Sequence, residues 1–448
     1  MAKKNRKKKK NTTQVQQTVR LSQVLIVKNE EKNIETALTW AKNIAFEQIV
    51  VDTGSTDRTA EIAEELGAKV VYFEWINDFA AAKNFAMDLA KGNWIAILDA
   101  DEYMSEQDAS KLMYVLNKIQ KSKEQLQKID AIECPLYNLD DSGNVSSVIR
   151  HQRIFQNRPD LRFVGRIHEI IELKNSYAEV PEIAIIHTGY MPSTYKNEGK
   201  ALRNVTMLRA ELEHDPDNIS MKYYLADSLK SMGTDEALQE AEAVFLDVLP
   251  AKLEANAHIK QLAYNFLIPR YSGIDDDDKK DKALSLCNDA VQELPHHIDY
   301  RYYRAVINNQ RKNYEKAWKD LFYCDDVLTN AQSAQVTQVL MPTPILLYYQ
   351  LVVTATGLAK EQEITKYTTI IQNILSETKM QSTAVGPYIR ALAWDGASVD
   401  EILDNISNIY NIKNPADLMF LARVAKEAGA IEFTRGIMGK IEKVLGKR

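Results

Sequence analysis

The chain has 448 residues and a formal charge of −6, enough length for two or more domains and no general drive towards nucleic acid or anionic membrane. With 45% hydrophobic and 26% charged residues the composition is that of an ordinary globular chain, not a disordered or fibrous one. Three cysteines (Cys134, Cys287, Cys324), odd in number and far apart, exclude a disulfide framework and a Cys-based zinc site; they fit a reducing compartment, so the expected location is the cytoplasm.

The chain opens with "MAKKNRKKKK" and continues into the polar "NTTQVQQT", which reads as a disordered basic tail over 1–19. No apolar segment follows the lysines as in a secretory signal. No transmembrane segment is expected: "IAIIHTGYMP" and "ILLYYQLVVTATG" are too short or too polar to span a bilayer. From Leu21 short apolar runs alternate with helical spacing. "LSQVLIVKN", "FEQIVVDTGS", "AKVVYFEW" and "NWIAILDA" read as strands, and "EEKNIETALTWAKN", "DRTAEIAEELG" and "DFAAAKNFAMDLAKG" as helices. Gly67 is placed to end the second helix. This alternation predicts a mostly parallel sheet covered by helices, over 20–199. Ligands of such sheets sit beyond the carboxyl ends of the strands. The polar residues there are Asn29 and Glu30, Asp52, and Asp99 with Asp101.

From about residue 200 the spacing is helical throughout, with Asp-Pro and Met-Gly turns. "DPDNISMKYYLADSLKSMG" with "DEALQEAEAVFLDVL" forms one tetratricopeptide-like hairpin. "PHHIDYRYYRAVINNQRKNYEKAWKDLFYCDDVL" forms a second, and "NPADLMFLARVAKEAGAIEFTRGIMGKIEKVL" a third that suits a cap. Residues 200–448 are therefore expected to be an all-α repeat domain. Such stacks build concave surfaces for peptides or other chains; the plainer reading is a scaffold for the first domain. Exposed apolar helix faces would also allow a homodimer. The charge run "GIDDDDKKDK" reads as a solvated loop.

Three carboxylates, Asp99, Asp101 and Glu102, crowd the end of the fourth strand. If the strand persists there, Asp99 and Asp101 leave one face and Ala100 the other. Two like charges side by side call for a cation, and Mg2+ or Mn2+ binds carboxylate oxygens together with substrate phosphates. The alternative is a pair of surface carboxylates in a turn. Asp52 closes the second strand before "TGSTDRT", where Gly54 permits a turn, Ser55 or Thr56 can cap the next helix and Asp57 suits the helix start. Asp52 is thus free to meet a base or ribose. The absence of G-x-G-x-x-G and of G-x-x-x-x-G-K-[ST] speaks against dehydrogenase and P-loop chemistry.

Taken together, "VLIVKNEEKNIETAL", "IVVDTGSTDRTAEIAEELGAKV" and "NDFAAAKNFAMDLAKGNWIAILDADE" resemble a family 2 glycosyltransferase of the GT-A (Rossmann-like α/β) fold. The likeness covers about 21–195. It implies an inverting transferase using a nucleotide sugar and a divalent metal. Carried over, Val27, Asn29, Glu30 and Asp52 line the nucleoside pocket. Asp99, Ala100 and Asp101 form the D-x-D, with Asp101 foremost as metal ligand. Lys83 stands where relatives often carry Arg and faces the diphosphate. Relatives often have Asp-Asp where this chain has Asp52-Thr53, which leaves open which carboxylate meets the uracil. "RHQRIFQNRPDLRFVGRIHEII" and "IAIIHTGY" further resemble a subgroup with a helical repeat domain after the transferase, similar to sublancin-type bacteriocin S-glycosyltransferases.

On that likeness the chain is expected to move a hexose from a UDP-sugar to a peptide or protein Ser, Thr or Cys. Glu169 is the expected base, with His168 as second choice. His187 is either a metal or phosphate ligand or a structural histidine. Arg150, Arg153 and Arg166 are either phosphate contacts or ordinary ion pairs. The alternative acceptor is a cell-wall or surface glycan, and the non-enzyme alternative is a repeat scaffold with an inactive transferase domain.

Overall fold

In a computed structural model of the chain the described residues are 18–189, 198–330, 339–340, 342–379 and 381–445. All but the last two positions of the expected basic tail lie outside them. The chain divides into two compact units, 1–241 and 242–448. The boundary expected at 199/200 falls inside the first.

The first unit is built on one mixed sheet. Strands β1 (Leu21–Val27), β2 (Ala45–Asp52), β3 (Lys69–Tyr72) and β4 (Trp94–Ile97) run parallel in the order β3-β2-β1-β4. Helices α1 (Ile34–Thr39), α2 (Thr59–Glu65) and α3 (Phe79–Leu89) connect them. Strand β4 is apolar throughout and all of Trp94–Ile97 is buried, as suits a central strand covered on both faces. Gly67 ends α2 at φ 89°, its N–H donating to the Glu64 carbonyl, as its position suggested.

Beyond β4 the sheet continues in a way the strand–helix alternation did not announce. Helices α4 (Glu106–Lys121) and α5 (Lys123–Lys128) lead into an antiparallel hairpin, β6 (Ile129–Leu139) and β7 (Val145–Gln156). Strand β7 pairs antiparallel with β4. Two small strands close that edge: β5 (Glu102–Tyr103) runs antiparallel to β11 (Ile185–His187), which runs parallel to β6. A two-stranded piece, β8 (Phe163–Val164) with β9 (Ile170–Ile171), and β10 (Ser176–Glu179) beside β6 complete the unit's strands. Helices α6 (Glu198–His214) and α7 (Ile219–Met232) belong to the same unit.

The unit boundary falls within α8 (Asp235–Val248). The second unit holds helices α9 (Leu253–Ser272), α10 (Asp277–Glu293), α11 (Asp299–Gln310), α12 (Tyr314–Thr329), α13 (Ile345–Gly357), α14 (Glu361–Glu377), α15 (Ser382–Trp394), α16 (Val399–Ile406), α17 (Pro415–Glu427) and α18 (Ile431–Val444). Both helices of each expected hairpin are present, as α7 and α8, α11 and α12, and α17 and α18. The charge run differs from its reading as a loop. Asp276 caps α10 by accepting from the Lys279 N–H at 2.8 Å, and Asp277 and Asp278 sit in the first turn, where negative charge is favoured. Among the described residues no helix is long and apolar enough to cross a membrane.

Candidate functional site

The carboxyl ends of β1, β2 and β4 form one rim, since β1 pairs with both β2 and β4. At the end of β1 the Val27 carbonyl accepts from both the Thr53 N–H and hydroxyl, at 3.0 Å each. Asn29 turns left-handed at φ 57°; its N–H donates to Ser55 Oγ at 2.9 Å and its Oδ1 accepts from the Thr56 N–H at 2.7 Å. Ser55 and Thr56 are therefore spent on the Asn29 loop. Asp57 serves the start of α2, accepting from the Thr59 N–H at 3.0 Å. Glu30 is half-buried and accepts from Asn33 Nδ2 at 2.7 Å; burial lifts its pKa above the usual range against that hydrogen bond.

Asp52 ends β2 and is 1% exposed. Its Oδ1 accepts from the N–H groups of Gly54 and Ser55 at 2.7 Å each, a turn for which Gly54 supplies φ 104°. Its Oδ2 is buried and meets no donor among the described residues.

Strand β4 ends at Ile97, so Asp99, Ala100 and Asp101 lie on a turn, closed by the Glu102 N–H donating to the Asp99 carbonyl at 3.0 Å. This corrects the expectation that both carboxylates leave one strand face. The reason is β5. Glu102 and Tyr103 are drawn into pairing with β11, which leaves only Leu98 to Asp101 to make the bend. Asp99 turns to Arg153 Nη2 at 2.7 Å and lies 3.8 Å from Lys83 Nζ. Asp101 turns to His187, with 3.5 Å from Oδ2 to Nε2. The β5–β11 register sets His187 opposite Glu102, and the Thr188 N–H ties down the Asp101 carbonyl at 3.1 Å.

His187 Nδ1 lies 2.7 Å from Asn138 Oδ1, while Asn138 Nδ2 donates to Ser147. The Asn138 oxygen is thus the acceptor, Nδ1 carries the hydrogen, and Nε2 is the nitrogen turned to Asp101. Burial would lower the His187 pKa, but the Asp101 carboxylate beside it raises it above the ordinary value. Gly189 completes this corner. A Cβ built there would collide with the Asp101 carboxylate and lie 2.7 Å from His187 Nε2.

Lys83 lies on the inner face of α3, a helix begun by Asp78 accepting from the Ala81 N–H at 2.8 Å. The lysine is 4% exposed, and its Nζ meets Glu169 Oε1 at 2.6 Å. Arg153 arrives through a bulge: Ile132 pairs with Ile154 but Glu133 pairs with Gln152, leaving Arg153 as the extra residue of β7. It binds both Asp99 and the buried Glu102, whose other oxygen accepts from the Asp99 N–H at 3.0 Å. Burial alone would raise the pKa of Asp99; Arg153 and then Lys83 hold it well below the usual carboxylate range. Burial, reinforced by Asp99, raises that of Glu102.

The structure thus brings Lys83, Asp99, Asp101, Glu169 and His187 to one place, with Glu102 and Arg153 beside them. Nothing in the sequence alone separated Arg153 from Arg150, which pairs with Glu179 at 2.6 Å, or from Arg166, which pairs with Glu211 at 3.4 Å. His168, the other expected base, lies flat against Tyr224, with ring centroids 3.5 Å apart and planes 10° apart. Among the described residues no group of three or more His, Cys, Asp or Glu converges on a metal-sized point. Asp101 and His187 offer a two-ligand corner. That suits a hard divalent cation whose remaining ligands are phosphate and water oxygens.

A parallel half-sheet, a D-x-D turn at its rim and a mixed second half define a GT-A-type domain. Residues 22–128 match the Glycosyl transferase family 2 model, so the chain carries a domain of that family. It is 31% identical over 229 residues to a TPR repeat-containing protein of Synechococcus elongatus, covering 49% of this chain and 54% of that protein. It is 29% identical over 219 residues to the SPbeta prophage-derived glycosyltransferase SunS of Bacillus subtilis, covering 47% and 50%. The chain spans about half the length of these curated relatives. Among solved structures, glucosyl-3-phosphoglycerate synthase from Mycobacterium tuberculosis aligns at 22% identity and a TM-score of 0.22, over 28% of this chain and 45% of that one.

Proposed function

We propose that the chain is a divalent-metal-dependent, inverting glycosyltransferase that moves a hexose from a UDP-sugar to a Ser, Thr or Cys side chain of a peptide or protein. The observation that carries this reading is the second oxygen of Asp52, a buried acceptor at the rim of the sheet that meets no donor among the described residues. Leaving such a group unmade is costly, and the imide N–H of uracil is the donor it lacks. Support for a glycosyl transfer comes from the family 2 match and from SunS, which is named a glycosyltransferase.

The residues present fit a metal: a carboxylate, an imidazole nitrogen held in one tautomer by Asn138, and a glycine where any side chain would fill the space. Asp101 and His187 would hold Mg2+ or Mn2+, and the cation would supply charge neutralisation to the departing diphosphate. Lys83 and Arg153 place two further positive charges against Asp99 at the same rim. Glu169 serves as base, taking the proton of the acceptor hydroxyl or thiol. The bond from that oxygen or sulfur to the anomeric carbon forms as the bond to the diphosphate oxygen breaks, which inverts the centre. The base matters less for a cysteine acceptor, whose thiol pKa lies near ~8.5. The repeat helices recruit the acceptor chain, the use to which such stacks are commonly put.

The test is a panel of UDP- and GDP-sugars with Mn2+, following nucleotide release with and without candidate peptides. Asp101→Ala is expected to abolish release while its circular dichroism and Tm stay near those of the native chain. Full activity in that variant contradicts the metal assignment, and transfer to a glycan but not to peptides contradicts the acceptor.

A further inference from the structure

We infer that helices α6 and α7 belong to the catalytic site, with Glu211 of α6 and Tyr224 of α7 as positioning residues for the loop that carries Glu169. The inference rests on the reading of Glu169 as base. Residues Gly165 to Glu169 join β8 to β9 and carry two left-handed residues, Gly165 at φ 92° and His168 at φ 50°. Glycine adopts that conformation freely; a histidine there needs support from its surroundings.

The support comes from two directions. On the α3 side, Asn84 clamps Phe163, donating to its carbonyl and accepting from its N–H at 2.9 Å each. The Phe79 N–H holds the Arg166 carbonyl at 2.8 Å. On the other side the contacts come from outside the sheet. The Arg166 N–H donates to Glu211 Oε1 at 3.2 Å, and its Nε lies 3.4 Å from the same oxygen. The His168 ring is stacked on Tyr224. Arg203 of α6 also lies over the Phe79 ring, 5.2 Å from its centroid, at the start of the helix that bears Lys83. Glu169 follows His168 directly, so the stack fixes the backbone from which the carboxylate reaches Lys83. A sheet-only transferase domain would lack these contacts, and the base loop would be free to leave its geometry.

The test uses the full chain, Mn2+, and whichever of UDP-glucose and UDP-N-acetylglucosamine the native protein consumes faster with water as acceptor. Water's oxygen joins the anomeric carbon, the diphosphate oxygen leaves with its electron pair, and one proton is released. Tyr224→Ala and Glu211→Ala are expected to lower kcat roughly 10- to 100-fold, the usual cost of misplacing a catalytic group. KM for the donor and Kd for UDP should stay within about twofold, because the Asp52 pocket is untouched. Tyr224→Phe, which keeps the stack, and Glu211→Gln, which keeps an acceptor, are expected to restore kcat. If Tyr224→Ala loses UDP binding together with kcat, His168→Gly decides by the same two readings, since it removes the ring without straining the loop. Glu169→Gln separates the two ideas. Native activity there overturns the role of Glu169. A crippled Glu169→Gln beside native kcat in Tyr224→Ala, Glu211→Ala and His168→Gly overturns the positioning role alone.

Discussion

Replacing Asp52 by asparagine probes the nucleoside pocket with almost no change of shape. The Oδ1 contacts to the Gly54 and Ser55 N–H groups, at 2.7 Å each, can be kept by the amide oxygen. The amide nitrogen then stands where Oδ2 stood, buried and without a hydrogen-bond partner among the described residues. An acceptor has become a donor, opposed to the imide N–H of uracil. Leaving that pair unmade in a buried site costs about 1–3 kcal/mol, or roughly 5- to 150-fold in affinity. Cytosine carries an acceptor at the matching ring position, so the same change should narrow or reverse the preference for UDP over CDP. Isothermal titration with UDP and CDP in the presence of Mn2+ reads both effects, and thermal melts check that the turn survives. If the Asp52→Asn variant binds UDP as tightly as the native chain and CDP no better, Asp52 does not meet the base.

Two further outcomes follow from the Asp101–His187 corner. Gly189→Ala places a methyl group in collision with the Asp101 carboxylate and 2.7 Å from His187 Nε2; overpacking of about 1–3 kcal/mol should weaken Mn2+ binding roughly 5- to 150-fold with the fold intact, and unchanged Mn2+ titration would refute the placement. Because Asp101 raises the His187 pKa above its ordinary ~6.5, a proton competes with the metal at neutral pH, so Mn2+ affinity in the presence of UDP should weaken as pH falls from about 8 to about 6, a trend that His187→Gln should flatten. The sign for folding without metal is opposite: the Asp101–imidazolium contact contributes fully below the unfolded pKa and is lost as pH rises through the raised value.

Much of the first unit was legible because parallel βα units write themselves as apolar runs ending in polar turns. Each rim residue named from the sequence, from Asn29 to Asp101, follows a strand of that kind. The second half of the sheet was less legible. Strand β7 exposes its first seven residues in a row, so no alternation marks it as a strand, and its bulge hides that Arg153 faces the rim. The D-x-D was found, but the orientation of its side chains depends on a two-residue strand paired with residues more than eighty positions away, which no local pattern reveals. His168 adjoins Glu169 in the sequence, but its stacking partner Tyr224 comes from α7, outside the sheet, and no local pattern reveals that contact. The charge run at 276–282 was misread because a helix start and a solvated loop favour the same acidic residues.

The central claim is that a nucleotide sugar binds at the carboxyl ends of β1, β2 and β4 through Asp52 and through a cation at Asp101 and His187. A crystal structure with UDP and Mn2+, with the metal located by its anomalous signal, tests this most directly. The expected result is a peak bonded to Asp101 Oδ2 and His187 Nε2, with diphosphate oxygens on its open side and the uracil N–H donating to Asp52 Oδ2. A metal peak away from this corner, or UDP bound with its base remote from Asp52, contradicts the account.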